Sequence, residues 1–333
     1  MKSASFFSPT TLVAIILFAS FATVPFVAAV IDEPFWTSFF ARILIYAVAA
    51  SALNLALGYG GLVSFGHALF LGLGVYAVAL PSHYGVANGF AHLGFALLAC
   101  GLVALAVGVV SLRTSGMAFI MITLAFAQMG YFLFVSLKQY GGDDGLAIMS
   151  TSVFGPFDLG GTTKVYVAAW LVLAALTLWM AKLRASPFGM ALRGSRQNPR
   201  RVNAMGLQTR QVQLVAFVLS GTVCGVAGLL LANLNAFASP SSMAWTVSGE
   251  LIVMVVLGGM GTVFGPVVGA LLYLGLEEIL KAWTEHWMAV FGPLIVLFTL
   301  MGKRGIVGVI EAALDARGDK ARAASTAAVS EGH

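Results

Sequence analysis

The chain is poor in charged residues and in cysteine. Lys, Arg, Asp and Glu make up 9% of its 333 residues and hydrophobic residues make up 59%, whereas charged residues are about 25% of a typical soluble domain. This composition excludes an ordinary water-soluble domain. The two cysteines, Cys100 and Cys224, both lie in apolar runs. That position is typical of small buried side chains and gives no support to a disulfide framework or a thiolate metal site.

Sequence motifs for catalysis are also missing. The chain has no GxxxxGK[ST] phosphate loop, so nothing indicates that it is itself an ATPase. It has no nucleophile–base constellation, and no series of charged residues within its apolar runs of the kind that proton-coupled carriers use. Its net charge of +5 is typical of membrane topology rather than of nucleic-acid binding, because most Lys and Arg residues lie beside apolar runs. We therefore expect no enzyme, no cofactor, no metal site and no nucleic-acid partner.

Apolar runs of about 20 residues predict an all-α, polytopic transmembrane bundle of about ten helices. The run 165–180 does not alternate apolar and polar residues, which argues against a β-barrel. The first run, 11–30, is longer than a signal-peptide core, so we interpret it as a retained helix. The glycine-rich segment 258–266 predicts a tight turn that divides 247–282 into two helices. The predicted helices are 11–30, 39–57, 64–81, 92–112, 117–137, 163–183, 212–234, 247–260, 265–282 and 287–302.

Basic residues predict the orientation of these helices. With Lys2 in the cytoplasm, Arg113, the loop 184–211 and the Lys303-Arg304 pair all fall on the cytoplasmic side, as the positive-inside rule requires. Ten helices also return the C-terminus to the cytoplasm. We expect residues 1–310 to form the membrane domain, including loop 184–211, and residues 311–333 to form a cytoplasmic tail.

The loop is the most basic part of the chain. Seven of the 18 Lys and Arg residues lie between residues 182 and 210, with no Asp or Glu among them. Pro187 suits the first turn of a helix and Pro199 cannot continue one, which predicts a short helix between them, near 187–197. Arg193 and Arg196 are i,i+3 neighbours, so both can face one partner surface. We interpret the loop as a docking segment; the alternative is a solvated basic face that only sets topology.

Small residues recur at helix-packing spacing. Gly261, Gly265 and Gly269 form a GxxxGxxxG row, a pattern that lets membrane helices approach closely. We interpret this row as a packing interface rather than as a binding site.

Polar residues near the glycine-rich segment 58–61 have two interpretations. Asn54, Ser64 and His67 flank this segment, and broken backbone at membrane depth is tolerated only where it is buried in protein or lines a wet cavity. The group is therefore either part of a translocation path or a polar turn with a hydrogen-bonded histidine. Glu250, just inside an apolar run, is either a favourable acid at a helix start or a residue that faces a pore.

Five blocks of the chain together resemble the permeases of branched-chain amino-acid ABC transporters. They occur in family-like order and spacing across about residues 40–310. The first block reads NLALGYGGLVSFGHALFLGLGVY, and the second contains Gln128, which we place with the path candidates. The blocks are 54–76, 113–129, 141–146, 186–206 and 248–269.

The resemblance implies a permease of the type II ABC importer kind in the bacterial inner membrane. It implies a sister permease, two cytoplasmic ATPase subunits that bind the ATP, and a periplasmic substrate-binding protein. The family usually has an acidic residue after the docking-loop arginine, where this chain has Gln197, so no charge pair is expected there. Relatives on this scaffold carry urea or short amides, and an ATPase-independent carrier is a further alternative. The docking residues implied are Pro187, Phe188, Gly189, Arg193, Arg196, Gln197 and Gly206.

Overall fold

The computed structural model describes residues 17–25, 28 and 33–301. The predicted tail 311–333, the Lys303-Arg304 pair and parts of the first predicted helix lie outside the described residues. Within the described part, the all-α bundle is confirmed, and residues 17–25 are helical. The helices are α1 Pro34–Asn54, α2 His67–His83, α3 Gly89–Ser111, α4 Met117–Ser136, α5 Thr162–Ala185, α6 Pro187–Gln197, α7 Pro199–Ala204, α8 Thr209–Asn235, α9 Trp245–Gly258, α10 Gly265–Trp283 and α11 Trp287–Met301.

Helices α1 and α8 form the centre of the bundle. Every residue is buried from Ile43 to the end of α1 and through the π-helical turn Leu55–Tyr59 that follows it. Helix α8 packs against α1, α2 and α3. A helix that is apolar on all sides is one that other helices surround. By contrast, α3 and α4 leave most of their apolar side chains exposed or half-buried, as helices that face lipid do.

The helices α5 and α8 connect opposite ends of the bundle. Each is long enough to cross a membrane, since 24 residues of α-helix span about 36 Å. We call the end with α6 and α7 the loop end and the opposite end the hairpin end. The hairpin end carries two small antiparallel pairs that the sequence did not predict. Strand β1 (Leu146–Ala147) pairs with β4 (Phe237–Ala238), and β2 (Val153–Phe154) pairs with β3 (Phe157–Asp158).

Breaks in the helices lie inside the bundle as well as at its ends. Residues 60–66, between the π-helical turn and α2, form no regular helix. The predicted division of 247–282 into two helices is confirmed, because α9 and α10 are joined by a turn at residues 259–264. Gly259 and Gly261 have φ values of 122° and 79° in this turn, a region that glycine enters without a Cβ penalty.

Candidate functional site

The predicted short helix of the docking loop is confirmed as α6. Its first residue is Pro187, and the hydroxyl of Ser186 accepts a hydrogen bond of 3.2 Å from the Gly189 N–H, which caps the helix start. A Cβ on Gly189 would lie 2.0 Å from the carbonyl oxygen of Leu183, so this close turn from α5 into α6 requires glycine. Phe188 is half-buried and packs against the core. The corner between α5 and α6 is therefore tightly built.

Helix α7 was not predicted. Pro199 does end α6, but it also begins α7, and the side chain of Asn198 accepts a hydrogen bond of 3.1 Å from Arg201 N–H. An asparagine cap followed by proline is a recognised helix-start signal. Gly206 follows α7 and has a φ of 84°, and nothing lies within 4 Å of a Cβ placed on it. Glycine is therefore favoured here by the backbone conformation and not by close packing.

The two arginines of α6 bind two different backbone carbonyls of the chain. Arg193 donates from Nη2 to the carbonyl of Arg184 at 2.9 Å, and thus ties α6 to the end of α5. Arg196 instead reaches into the bundle and donates from Nη1 to the carbonyl of Gly58. Backbone carbonyls at two helix ends thus bind these guanidinium groups, and Arg196 as a residue stays exposed. Gln197 is exposed.

Asn54 joins α1 to the turn between α9 and α10. Its Nδ2 donates to the carbonyl of Thr262 at 2.8 Å, and its Oδ1 accepts from the Gly261 N–H at 2.9 Å. A Cβ on Gly58 would lie 2.0 Å from Asn54 Oδ1 and 2.6 Å from Gly261 N, so the close approach requires glycine there. The side chain of Asn54 is completely buried. This position fits the polar-turn interpretation, because a completely buried side chain does not line an open path within this chain.

The glycine packing row is partly as predicted. A Cβ on Gly265 would lie 2.5 Å from the carbonyl oxygen of Gly259, and one on Gly269 would lie 1.8 Å from that of Met254. Both glycines therefore bring α10 against α9 and the turn that joins them. Gly261 lies outside the helices and serves the turn, which corrects its assignment to the row. Gly258 takes its place, because a Cβ there would lie 1.8 Å from the Gly265 carbonyl oxygen.

His67 and Ser64 are also buried and internally bonded. His67 Nε2 lies 2.7 Å from the hydroxyl of Ser220, and that hydroxyl donates to the carbonyl of Ala52 at 2.5 Å. Since Ser220 donates its proton to Ala52, His67 must donate from Nε2, and its Nδ1 is left without a hydrogen-bond partner among the described residues. The hydroxyl of Ser64 accepts from Gly66 N–H at 3.1 Å. The polar-turn interpretation therefore fits both residues.

Glu250 and Gln128 are only partly buried, unlike the other path candidates. The charges that act on Glu250 are those of Glu277, Arg42 and Lys281. Within α10, Lys281 forms an i,i+4 ion pair with Glu277, with Lys281 Nζ 2.5 Å from Glu277 Oε1. The sequence did not link Arg42 to this group, because α1 and α10 are more than 200 residues apart in the chain. Charged residues of α1, α9 and α10 thus form a cluster of interacting charges that includes Glu250.

Long apolar helices, interrupted by breaks that polar side chains bridge, define a multi-pass helical membrane protein. Residues 36–299 match the family described as branched-chain amino acid transport system / permease component. The chain belongs to this family of transport permeases. The expectation that it is not an enzyme is thereby confirmed.

Several curated relatives cover most of the chain. It is 26% identical over 289 residues to the high-affinity branched-chain amino acid transport system permease protein LivM of Escherichia coli K12, which covers 79% of this chain and 68% of the relative. It is 23% identical over 317 residues to a probable LivM of Methanocaldococcus jannaschii, covering 79% of this chain and 90% of the relative. The LivH protein of Escherichia coli K12 is 28% identical over 147 residues, or 43% of this chain and 46% of that protein. No solved structure matches the chain.

Proposed function

We propose that this chain is one permease subunit of an ABC importer for branched-chain amino acids in a bacterial inner membrane. A sister permease completes the translocation path, two cytoplasmic ATPase subunits drive it, and a periplasmic binding protein delivers the solute. Family membership supports the transport role. The observation that carries the ATPase-driven mode is α6, a separate helix held at the loop end by bonds to two parts of the bundle.

Helix α6 presents a defined outer face to an ATPase. Its inner face consists of Gly189, Leu192 and Ser195, which are buried. On the outer face, Pro187 and Gln197 are exposed, and Met190 is 55% exposed. A flexible apolar methionine suits a groove on a partner protein. The sequence did not single out Met190, and we add it to the docking residues.

Side-chain hydrogen bonds would transmit a displacement of α6 to the interior of the bundle. Arg193 links α6 to α5, so a pull on α6 acts on the long helix that follows the hairpin end. Arg196 links α6 to the carbonyl of Gly58 at the break after α1. Asn54, one turn earlier, holds the turn between α9 and α10. ATPase closure would thus act on α1, α9 and α10 together and reorient the path between inward-open and outward-open states.

The path itself is expected to use Glu250 and Gln128, because their side chains are accessible while Asn54, Ser64 and His67 are not. An ionisable side chain inside a membrane protein faces the bundle interior or a wet cavity. The carboxylate of Glu250 would pair with the α-ammonium group of an amino acid, a group that urea and short amides lack. We place the remaining wall of the path on the sister permease.

Reconstitution tests this proposal. The chain, its sister permease and the ATPase subunits are placed in liposomes with the binding protein outside, and leucine uptake is measured with and without ATP inside. We expect uptake only with ATP, and we expect a tagged, detergent-solubilised chain to retain the ATPase subunits. Met190→Glu should release the ATPase, whereas Met149→Glu, at an exposed position of the hairpin end, should not. Leucine uptake by the two permeases alone would show an ATPase-independent carrier instead.

A further inference from the structure

A groove of about 220 Å³ lies between the end of α3 and the start of α8 at the loop end. Gly108 brings the two helices together here, because a Cβ on it would lie 2.7 Å from Leu214 Cδ1. The lining combines apolar side chains with two arginines, one just beyond α3 and one on α8. The lining residues are Gly108, Val109, Leu112, Arg113, Arg210, Gln211 and Leu214.

The two arginines of the groove have no counter-ion in the described part of the chain. Arg113 and Arg210 are both exposed, and the ion pairs of the described residues, Lys164–Asp158 and Lys281–Glu277, involve neither. The sequence contains no Asp or Glu between Asp158 and Glu250. Guanidinium groups bind phosphate through two parallel hydrogen bonds. The groove is therefore suited to a phosphate group that comes from outside the chain.

The position of the groove decides which phosphate fits. Arg113 lies two residues beyond the end of α3, and Arg210 is the second residue of α8. Directly toward the membrane centre, both helices expose apolar side chains, including Val109, Val110 and Val215. The arginines thus stand where an apolar, lipid-facing surface ends, which is the level of lipid headgroups. The N-terminus of α8 adds a favourable field for an anion.

We propose that this groove binds the phosphate headgroup of an anionic phospholipid, with Arg113 and Arg210 on the phosphate and an acyl chain along the apolar wall. A lipid fits better than a free anion, because half of the lining is apolar. Basic pockets between membrane helices are known to hold anionic headgroups. The site is separate from α6 and from the cluster around Glu250, and it would hold the α3–α8 contact in place.

Native mass spectrometry of the delipidated protein in detergent tests the site. Phosphatidylglycerol and phosphatidylcholine are titrated separately against the parent, against Arg113→Gln with Arg210→Gln, and against a control, Arg200→Gln with Arg201→Gln, that removes the same charge from α7. We expect the parent to bind phosphatidylglycerol in preference to phosphatidylcholine. The groove variant should bind phosphatidylglycerol about 30-fold more weakly, since each of the two basic residues contributes about 1 kcal/mol, or about fivefold in affinity. The control should bind like the parent.

Further arms of the experiment separate the alternatives. Unchanged binding by the groove variant, or an equal loss in the control, would overturn the proposal. Displacement of the lipid by an equal concentration of inorganic phosphate would show a free-anion site. If the groove variant loses ATPase capture but binds phosphatidylglycerol like the parent, the groove is a contact for the ATPase and not a lipid site. If the double variant fails to fold, the single change Arg210→Gln carries the test and should weaken phosphatidylglycerol binding by about fivefold.

Discussion

Asn54 and Gly261 lie 207 positions apart in the chain, yet the side-chain oxygen of Asn54 accepts a hydrogen bond of 2.9 Å from the Gly261 N–H. The same amide donates to the carbonyl of the next residue, Thr262. One buried side chain therefore satisfies both a donor and an acceptor of the turn between α9 and α10. A primary amide offers both functions, whereas an ionised carboxylate offers acceptors alone.

The Asn54 amide gives the first prediction. Asn54→Asp should destabilise the protein by about 1–3 kcal/mol at neutral pH, because an ionised acid leaves the Thr262 carbonyl unpaired and a neutral acid must take up a proton well above its ordinary pKa. Asn88→Asp is the matched control, since Asn88 only accepts hydrogen bonds at the start of α3 and aspartate caps a helix equally well. Unfolding by SDS in mixed micelles measures both. Equal losses would show that the Asn54 bridge does not stabilise the fold.

Glycine packing gives the second prediction, on two positions of α10. Gly269→Ala should destabilise by about 1–3 kcal/mol, because its Cβ would press on the carbonyl oxygen of Met254. Gly275→Ala has nothing within 4 Å of the added Cβ and should stabilise α10 by about 0.5–1 kcal/mol. The same unfolding assay compares them. Opposite signs are expected, and a stabilising Gly269→Ala would contradict the close α9–α10 contact.

Coupling gives the third prediction. Arg196→Ala should leave ATPase capture intact but reduce substrate-stimulated ATP hydrolysis by about tenfold, because hydrogen bonds to charged groups contribute about 1.5–3 kcal/mol. Arg201→Ala, in the exposed part of α7, should retain the parent rate. Hydrolysis is measured in proteoliposomes with saturating binding protein. Parent-like hydrolysis by Arg196→Ala would remove the Gly58 bond from the coupling route.

The translocation path gives the fourth prediction. Glu250→Gln should reduce leucine uptake while assembly with the sister permease and ATPase subunits stays normal, because the neutral amide cannot pair with an ammonium group. Glu285→Gln, at an exposed position beyond α10, serves as control. Glu250 is the sixth residue of α9 and lies beyond its first turn, which corrects the helix-start interpretation. Normal uptake by Glu250→Gln would remove this residue from the path.

Local signals made much of the fold predictable. Apolar runs located the long helices, Pro187 and Pro199 marked the ends of α6, and the glycines after residue 257 marked the α9–α10 turn. Helix α7 carried a usable signal in Asn198 and was missed because Pro199 was interpreted only as a stop.

Long-range partners could not be predicted in the same way. The pattern of α6 permits Arg196 to face outward, and only the folded chain brings the Gly58 carbonyl within its reach. Asn54 was likewise assigned to the translocation path because it lies beside a helix break, and its hydrogen-bond partners are distant in the sequence. Nothing near it in sequence shows that a turn more than 200 residues away binds both sides of its amide.

The central position of α1 has a consequence for how the protein is made. This helix leaves the ribosome before α9 and α10, and its Asn54 side chain finds both partners in residues synthesised 207 or more positions later. At about 5–20 residues per second, that interval is about 10–40 s. During this time the helix that ends up innermost lies in the membrane with an unpaired amide. Biogenesis therefore has to shelter α1, in the insertion machinery or against the sister permease, until the last third of the chain arrives.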